Sequence, residues 1–270
     1  MSLKNVMVHL DSGERSAVRL EMAVSLARRH QARLMGVFGQ LAEAQQIGFV
    51  ATWPRPEYAA ARDASRAAFA KATEGLPRTE WRDINCGSED RVVRSIIDLA
   101  RHADLVLLGQ HDKRIDNQVP EELMLELILG SGRPVLLVPY IGDFPEVGRH
   151  PLIAWNNTRE AARALNDALP LIESCEIATV LSLAASHEAA DACCADIEKH
   201  LAAHGIKTRL DAMLVQDFGI MDMLLNRITD RGADLLVMGA HGHIGFPFVS
   251  RGAGTRYILR HMTVPVLMSN

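Results

Sequence analysis

Two glycine clusters near the end of the sequence have a spacing that would suit one shared ligand. Gly239-Ala240-His241-Gly242 is followed by nine residues, His243 to Arg251, and then by Gly252-Ala253-Gly254-Thr255. Glycine lets backbone N–H groups turn toward a ligand with no Cβ in the way. The second cluster opens an expected helical segment, Arg256 to His261. The free N–H groups and positive dipole end of such a helix start attract phosphate. Thr255 adds a hydroxyl donor, and Arg251 and Arg256 add positive charge. The same glycines also serve as plain structural turns, and spacing alone does not choose between the two readings. The pattern is neither a G-x-x-x-x-G-K-[ST] loop nor a G-x-G-x-x-G dinucleotide signature.

Other constellations carry less. His241-x-His243 lacks a nearby third ligand, so no metal site is assigned. His9, Asp11 and Ser12 lie together, but no G-x-S-x-G elbow accompanies them, and adjacent strand residues point to opposite faces, so a hydrolase triad is not expected. The net charge of -4 implies no broad basic surface. Trp53, Trp81 and Trp155 form no interleaved basic–aromatic surface either, so nucleic acid is not the expected partner. A local basic patch stays open. No apolar run approaches the ~18–20 residues that cross a bilayer, and the N-terminal segment does not read as a secretory signal. Cys86, Cys175, Cys193 and Cys194 form no C-x-x-C pair and read as thiols of a reducing, cytoplasmic setting. Cys193 and Cys194, adjacent on an expected helix, point to different faces.

The glycine clusters need a scaffold, and an internal repeat supplies it. Residues 103–111, ADLVLLGQH, match 233–241, ADLLVMGAH, at an offset of 130. Arg133-Pro134-Val135-Leu136 matches the segment around Val264-Pro265-Val266-Leu267 at an offset of 131, and Val8–Ser12 aligns with Ile153–Asn157 at an offset of 145. The drift of the offset places an insertion in the first copy, over residues 40–56, read as a loop or short lid. Short apolar runs suit strands buried on both faces. They fall at Val6–Leu10, Arg33–Val37, Trp81–Asn85, Asp104–Leu108 and Val135–Val138. The second copy repeats them at Leu152–Trp155, Ile177–Leu183, Thr208–Val215, Asp234–Met238 and Val264–Met268. Helical apolar stripes intervene at Leu20/Ala23/Val24/Ala27, Val93/Ile96/Ile97/Ala100, Ala161/Ala164/Leu165/Ala168 and Met221/Leu224/Leu225/Ile228. Asp11-Ser12-Gly13-Glu14 reads as a capping box opening the first helix. The expected fold is α/β: two tandem flavodoxin-like or Rossmann-like units, residues 1–142 and 150–270. Each would be an open five-stranded parallel sheet with helices on both faces.

In such sheets ligands sit beyond the carboxyl ends of the strands, where strand order reverses. The second copy, with its G-x2-G-x9-G loop, resembles the universal stress protein family in its tandem form. The closing Arg260-His261-Met262-Thr263-Val264-Pro265-Val266-Leu267-Met268-Ser269 and the first copy's Leu129-Gly130-Ser131-Gly132-Arg133-Pro134-Val135-Leu136 share that resemblance. The resemblance implies an adenine nucleotide, ATP or AMP, with or without Mg²⁺. It implies that Met238, Gly239, His241 and Gly242 line ribose and phosphates, and that Gly252, Ala253, Gly254 and Thr255 cradle the phosphates. The position near adenine, usually Asp, is Asn156 here; an amide keeps hydrogen bonds but no charge. Ala253 stands where a hydroxyl is usual, and Pro247, between Phe246 and Phe248, interrupts the stretch between the glycines. The first copy keeps Asp11 and Ser12 but has Gly109-Gln110-His111-Asp112 and Glu122 where glycines are required. Asp112, Asp116, Glu121 and Glu122 would repel phosphate, so the first site reads as degenerate.

The implied role is a nucleotide-responsive stress or regulatory binding module. The alternatives are a weak ATPase or nucleotidyl transferase, and a structural adaptor without a ligand. No general base is placed and no carboxylate pair awaits Mg²⁺, so any ATP turnover would be slow and no catalytic residue is assigned. In the family the last strands of the two units pair, which implies the same for Val135–Val138 and Val264–Met268; a further homodimer is compatible.

Overall fold

A computed structural model describes residues 2–47, 49–114, 118–184, 187–214, 219–241 and 252–270. The chain divides into two compact units, Ser2–Tyr140 and Ile141–Asn270.

The first unit runs β1 (Asn5–Leu10), α1 (Ser16–His30), β2 (Arg33–Leu41), β3 (Gln45–Ile47), β4 (Val50–Thr52), α2 (Pro56–Ala72), β5 (Thr79–Cys86), α3 (Glu89–Ala100), β6 (Leu105–Gly109), α4 (Leu123–Gly130) and β7 (Val135–Val138). Five of these strands form a parallel ladder in the order β7-β6-β1-β2-β5. Val6, Met7, Val8, Leu105, Val106 and Leu136 are buried, as strands covered on both faces require. Leu20, Ala23, Val24 and Ala27 of α1 are buried as their spacing implies. On α3 the buried set is Val92, Ile96, Ile97 and Ala100, with Val93 half-buried, so the stripe is centred slightly differently from the expected one.

Two local expectations are corrected. The capping box does not form, because α1 begins at Ser16 with Arg15 as N-cap and no side-chain cap. Asp11 instead accepts the Gly13 N–H at 2.6 Å and pairs with Arg19, so its carboxylate is used up before the helix starts. The insertion is more than loop. Gln40 and Leu41 extend β2, and β3 and β4 pair as an antiparallel hairpin. Its Phe49 is fully exposed.

The second unit runs β8 (Pro151–Trp155), α5 (Arg159–Ile172), β9 (Ala178–Ala184), α6 (His187–Ala203), β10 (Thr208–Leu214), α7 (Ile220–Asp230), β11 (Leu235–Gly239), α8 (Ala253–His261) and β12 (Val266–Ser269). Its strands are parallel in the order β10-β9-β8-β11-β12. Val215, assigned to a strand from the sequence, lies outside the described residues. The chain leaves β8 toward β9 and returns on β8's other side as β11, so strand order reverses between β8 and β11. In the first unit the reversal falls between β1 and β6.

The repeat has a physical counterpart in its two aspartates. Asp104 stands just before β6 and accepts the N–H groups of Lys4 and Asn5 at 2.7 and 2.9 Å. Asp234 stands just before β11 and accepts those of Gly148, Arg149 and His150 at 3.2, 2.8 and 3.0 Å. Each carboxylate satisfies the amides that lead into the first strand of its unit and so fixes the central strand pair. Identical Ala-Asp-Leu triplets recur because both units need that clamp.

Candidate functional site

At the reversal point of the second unit, the chain leaves β8 at Asn156. The Asn156 Oδ1 accepts the Thr158 hydroxyl at 2.8 Å, and Thr158 Oγ1 accepts the Ala161 N–H at 3.3 Å as N-cap of α5. Asn157 between them takes a left-handed φ of 54°. The tight turn throws the chain directly into α5, whose Ala161, Ala164, Leu165 and Ala168 are buried.

Beside it, β11 ends at Met238 and Gly239. A Cβ on Gly239 would lie 2.5 Å from the Glu160 carbonyl carbon and 2.6 Å from the Ala161 nitrogen. Only glycine lets β11 approach the α5 backbone this closely. The Ala240 N–H is taken by the Ser269 carbonyl at 2.8 Å. His241 then turns the chain with a φ of 59°, and its N–H donates to Thr255 Oγ1 at 2.9 Å. Gly252, at a φ of 82°, is the N-cap of α8. The first helical bond of α8 runs from Arg256 N–H to the Gly252 carbonyl at 3.0 Å. The N–H groups ahead of Arg256 therefore have no partner within the helix.

The structure thus brings Met238, Gly239 and His241 together with Gly252, Ala253, Gly254 and Thr255, with Asn156 on the neighbouring strand end. Gly254 and Thr255 are buried, Ala253 is half-buried and Arg256 is exposed. Gly242 and Arg251 lie outside the described residues, as do His243, Phe246, Pro247 and Phe248. Two features were not legible in the sequence. Thr255 holds the β11 end to the α8 start by accepting from His241. The His241 imidazole lies against Gly252, where a Cβ would meet its Cε1 at 2.3 Å.

The first unit carries the equivalent position in another form. A small open cleft at the ends of β1 and β6 is lined by His9, Asp11, Arg15, Arg19, His111 and Tyr140, among others. Arg19 is buried and pairs with Asp11 through Nη2, while its Nε donates to the His9 carbonyl at 3.1 Å. Its guanidinium lies so close to Gly109 that a Cβ there would meet Nη1 at 2.4 Å. Asp11, the residue that resemblance directs toward adenine, is consumed by an internal cation. Continuing the alignment of Asp11 with Asn156 without gaps puts Ala164 in the second unit at the place of Arg19. The acidic loop is likewise paired. Asp112 accepts Arg114 Nε and Nη2, both at 2.8 Å, and Glu121 pairs with Lys113. The Arg114 side chain holds the Asp112 carboxyl below its usual range. Asp116 lies outside the described residues. The sequence gives no sign of the pair between Asp11 and Arg19, because one arginine beside Leu20 reads as the solvent edge of a helix.

His9 is also buried. Its Nε2 lies 2.6 Å from the Gly39 carbonyl, and its Nδ1 is 3.9 Å from Asp11 Oδ2. Burial lowers its pKa from 6.5 to about 4, against the pull of Asp11 toward a higher value. The ring is therefore neutral at pH 7, with Nε2–H donating to Gly39. The unfolded chain binds this proton near pH 6.5, whereas the folded one resists it until about pH 4. The stability that a neutral His9 contributes is complete above pH 6.5 and is lost as pH falls toward 4, by up to about 3 kcal/mol. Urea titrations stepped through this range should show the loss, and His9→Gln, which cannot titrate, should flatten it.

Among the described residues no helix is long and apolar enough to cross a membrane.

The model of the Universal stress protein family matches residues 220–270, the stretch that holds α7, β11, α8 and β12. Three solved structures share the fold across the chain. A universal stress protein from Archaeoglobus fulgidus DSM 4304 is 14% identical, with 98% of each chain covered and a TM-score of 0.67. A functionally unknown protein from Pseudomonas aeruginosa PAO1 is 14% identical over 99% of this chain and 92% of its own, with a TM-score of 0.60. A putative universal stress protein from Pseudomonas aeruginosa UCBPP-PA14 is 16% identical over 99% and 93%, with a TM-score of 0.59. No curated protein matches the sequence.

Proposed function

We propose that this chain, whose residues 220–270 match the Universal stress protein family model and whose fold resembles that of such a protein, binds an adenine nucleotide in its second unit. The observation that supports this best is the start of α8. There a left-handed glycine presents the first-turn N–H groups beside the end of β11, at the point where strand order reverses. ATP or AMP would place its phosphates on the N–H groups of Gly252–Thr255, with the main chain of Gly239–Gly242 along the ribose and phosphates and Asn156 toward the base. Arg251 and Arg256 add charge, and Mg²⁺ would bind with the phosphates rather than to protein carboxylates. The role is that of a nucleotide-responsive binding module in the cytoplasm, with slow hydrolysis at most.

Specific observations favour a second reading, a structural unit without a ligand. Thr255 and Asn156 already bond within the protein, and the His241 ring lies against Gly252. Under the nucleotide reading the ring turns aside from Gly252. Calorimetric titration of the full chain with ATP and with AMP, each with and without Mg²⁺, separates the two readings. Saturable one-site heat supports the module; no heat with any of them supports the structural unit.

A further inference from the structure

Helix α6 finishes on two histidines one turn apart. His200 sits in its last turn and His204 directly after it, with ring centroids 4.8 Å apart and planes at 66°. Residues at i and i+4 share one helix face. The His204 N–H bonds to the Leu201 carbonyl at 3.0 Å, so the backbone carrying the second ring is held in register with the first. The His200 Nε2 is shut off from solvent with no hydrogen-bond partner among the described residues, while His204 is exposed. An imidazole nitrogen in that position lacks the partner it would have in water.

The nearby charges leave the pair available. Lys199 is engaged by Asp196 at 3.1 Å, and Glu198 meets the Thr208 hydroxyl at 3.4 Å. The last-turn carbonyls form the negative end of the helix, which favours a cation there. We propose that His200 and His204 together bind a divalent transition-metal ion. Neutral imidazole suits Cu(II), Ni(II) and Zn(II), whereas Mg²⁺ and Ca²⁺ demand oxygen. Copper binds most tightly of these by the general order of such complexes. Among the described residues no group of three or more His, Cys, Asp and Glu is placed to hold a metal. The exposed His204 ring must turn to open the His200 nitrogen to the ion; solvent then completes the coordination, and the site is one of two protein ligands, exchangeable rather than structural.

The test is a titration of the full chain with Cu(II) alone, read by calorimetry and by the nitrogen hyperfine pattern in electron paramagnetic resonance. The unaltered chain should bind one ion with two imidazole nitrogens. His204→Ala, at an exposed position that leaves the fold intact by circular dichroism, should weaken it by about tenfold or more and reduce the pattern to one nitrogen. His200→Ala should do the same. Undiminished affinity in His204→Ala overturns the proposal, and so does an ion lost instead on His241→Ala. No one-site binding in the unaltered chain overturns it equally.

Discussion

Gly252→Val should remove adenine-nucleotide binding while leaving both units folded. Two physical costs coincide at this position. A left-handed φ of 82° costs a non-glycine residue about 1–2 kcal/mol, and more for a β-branched one. A Cβ would also meet His241 at 2.3 Å, so either the ring or the first turn of α8 must move. Moving that turn redirects the N–H groups proposed to hold phosphate. The affinity of the full chain for ATP should fall by more than about tenfold, the equivalent of 1.4 kcal/mol. Arg256→Ala is the gentler companion. Arg256 is exposed and its removal spares the turn, so it should weaken binding severalfold without altering the melting temperature. Unchanged affinity in both variants would move the ligand to another part of the chain.

The second large effect belongs to the first unit. Arg19→Ala should destabilise the protein by about 3–5 kcal/mol, the usual cost of removing one partner from a buried ion pair. Asp11 would be left buried without its cation, with the Gly13 N–H as its remaining close donor besides Ser16. The His9 carbonyl would lose its donor as well. The double variant Asp11→Asn with Arg19→Ala should be markedly less unstable than the sum of its single changes, because no buried charge is left unpaired. Chemical denaturation of the four proteins measures this coupling. Additive effects would mean that Asp11 and Arg19 do not act as a pair.

Much of the architecture was readable because it depends on patterns that survive without tertiary knowledge. Runs such as Leu105–Leu108 and Leu235–Met238 are short and wholly apolar, and buried parallel strands require that. The repeated Ala-Asp-Leu triplets aligned the units before the clamp made by Asp104 and Asp234 was visible. What could not be read were side-chain choices between equally plausible partners. Asp11 can cap a helix or pair with an arginine eight residues on, and the sequence does not say that α1 starts only at Ser16. Residues 45–52 lack the Asn-Gly or Asp-Gly turn that announces a hairpin, so the sequence of β3 and β4 reads as loop. At the candidate site the glycine spacing identified which segments meet. It could not show that Thr255 would bond to His241 or that an imidazole would rest on Gly252, since both contacts bridge residues more than ten apart in sequence. The same spacing gave no sign that Gly239 serves close packing on α5, a role that needs no ligand at all.

In the proposed complex, main-chain groups at the ends of β8 and β11 and the start of α8 hold the adenine nucleotide. Backbone amide resonances of uniformly ¹⁵N-labelled protein, followed during ATP addition, test this arrangement most directly. Saturable shifts are expected at Asn156, Gly239, His241 and Gly252–Arg256, with Asp11, Gly109 and His111 of the first unit unmoved. Shifts centred on those three first-unit residues, or a spectrum that ATP leaves unchanged at millimolar concentration, would contradict it.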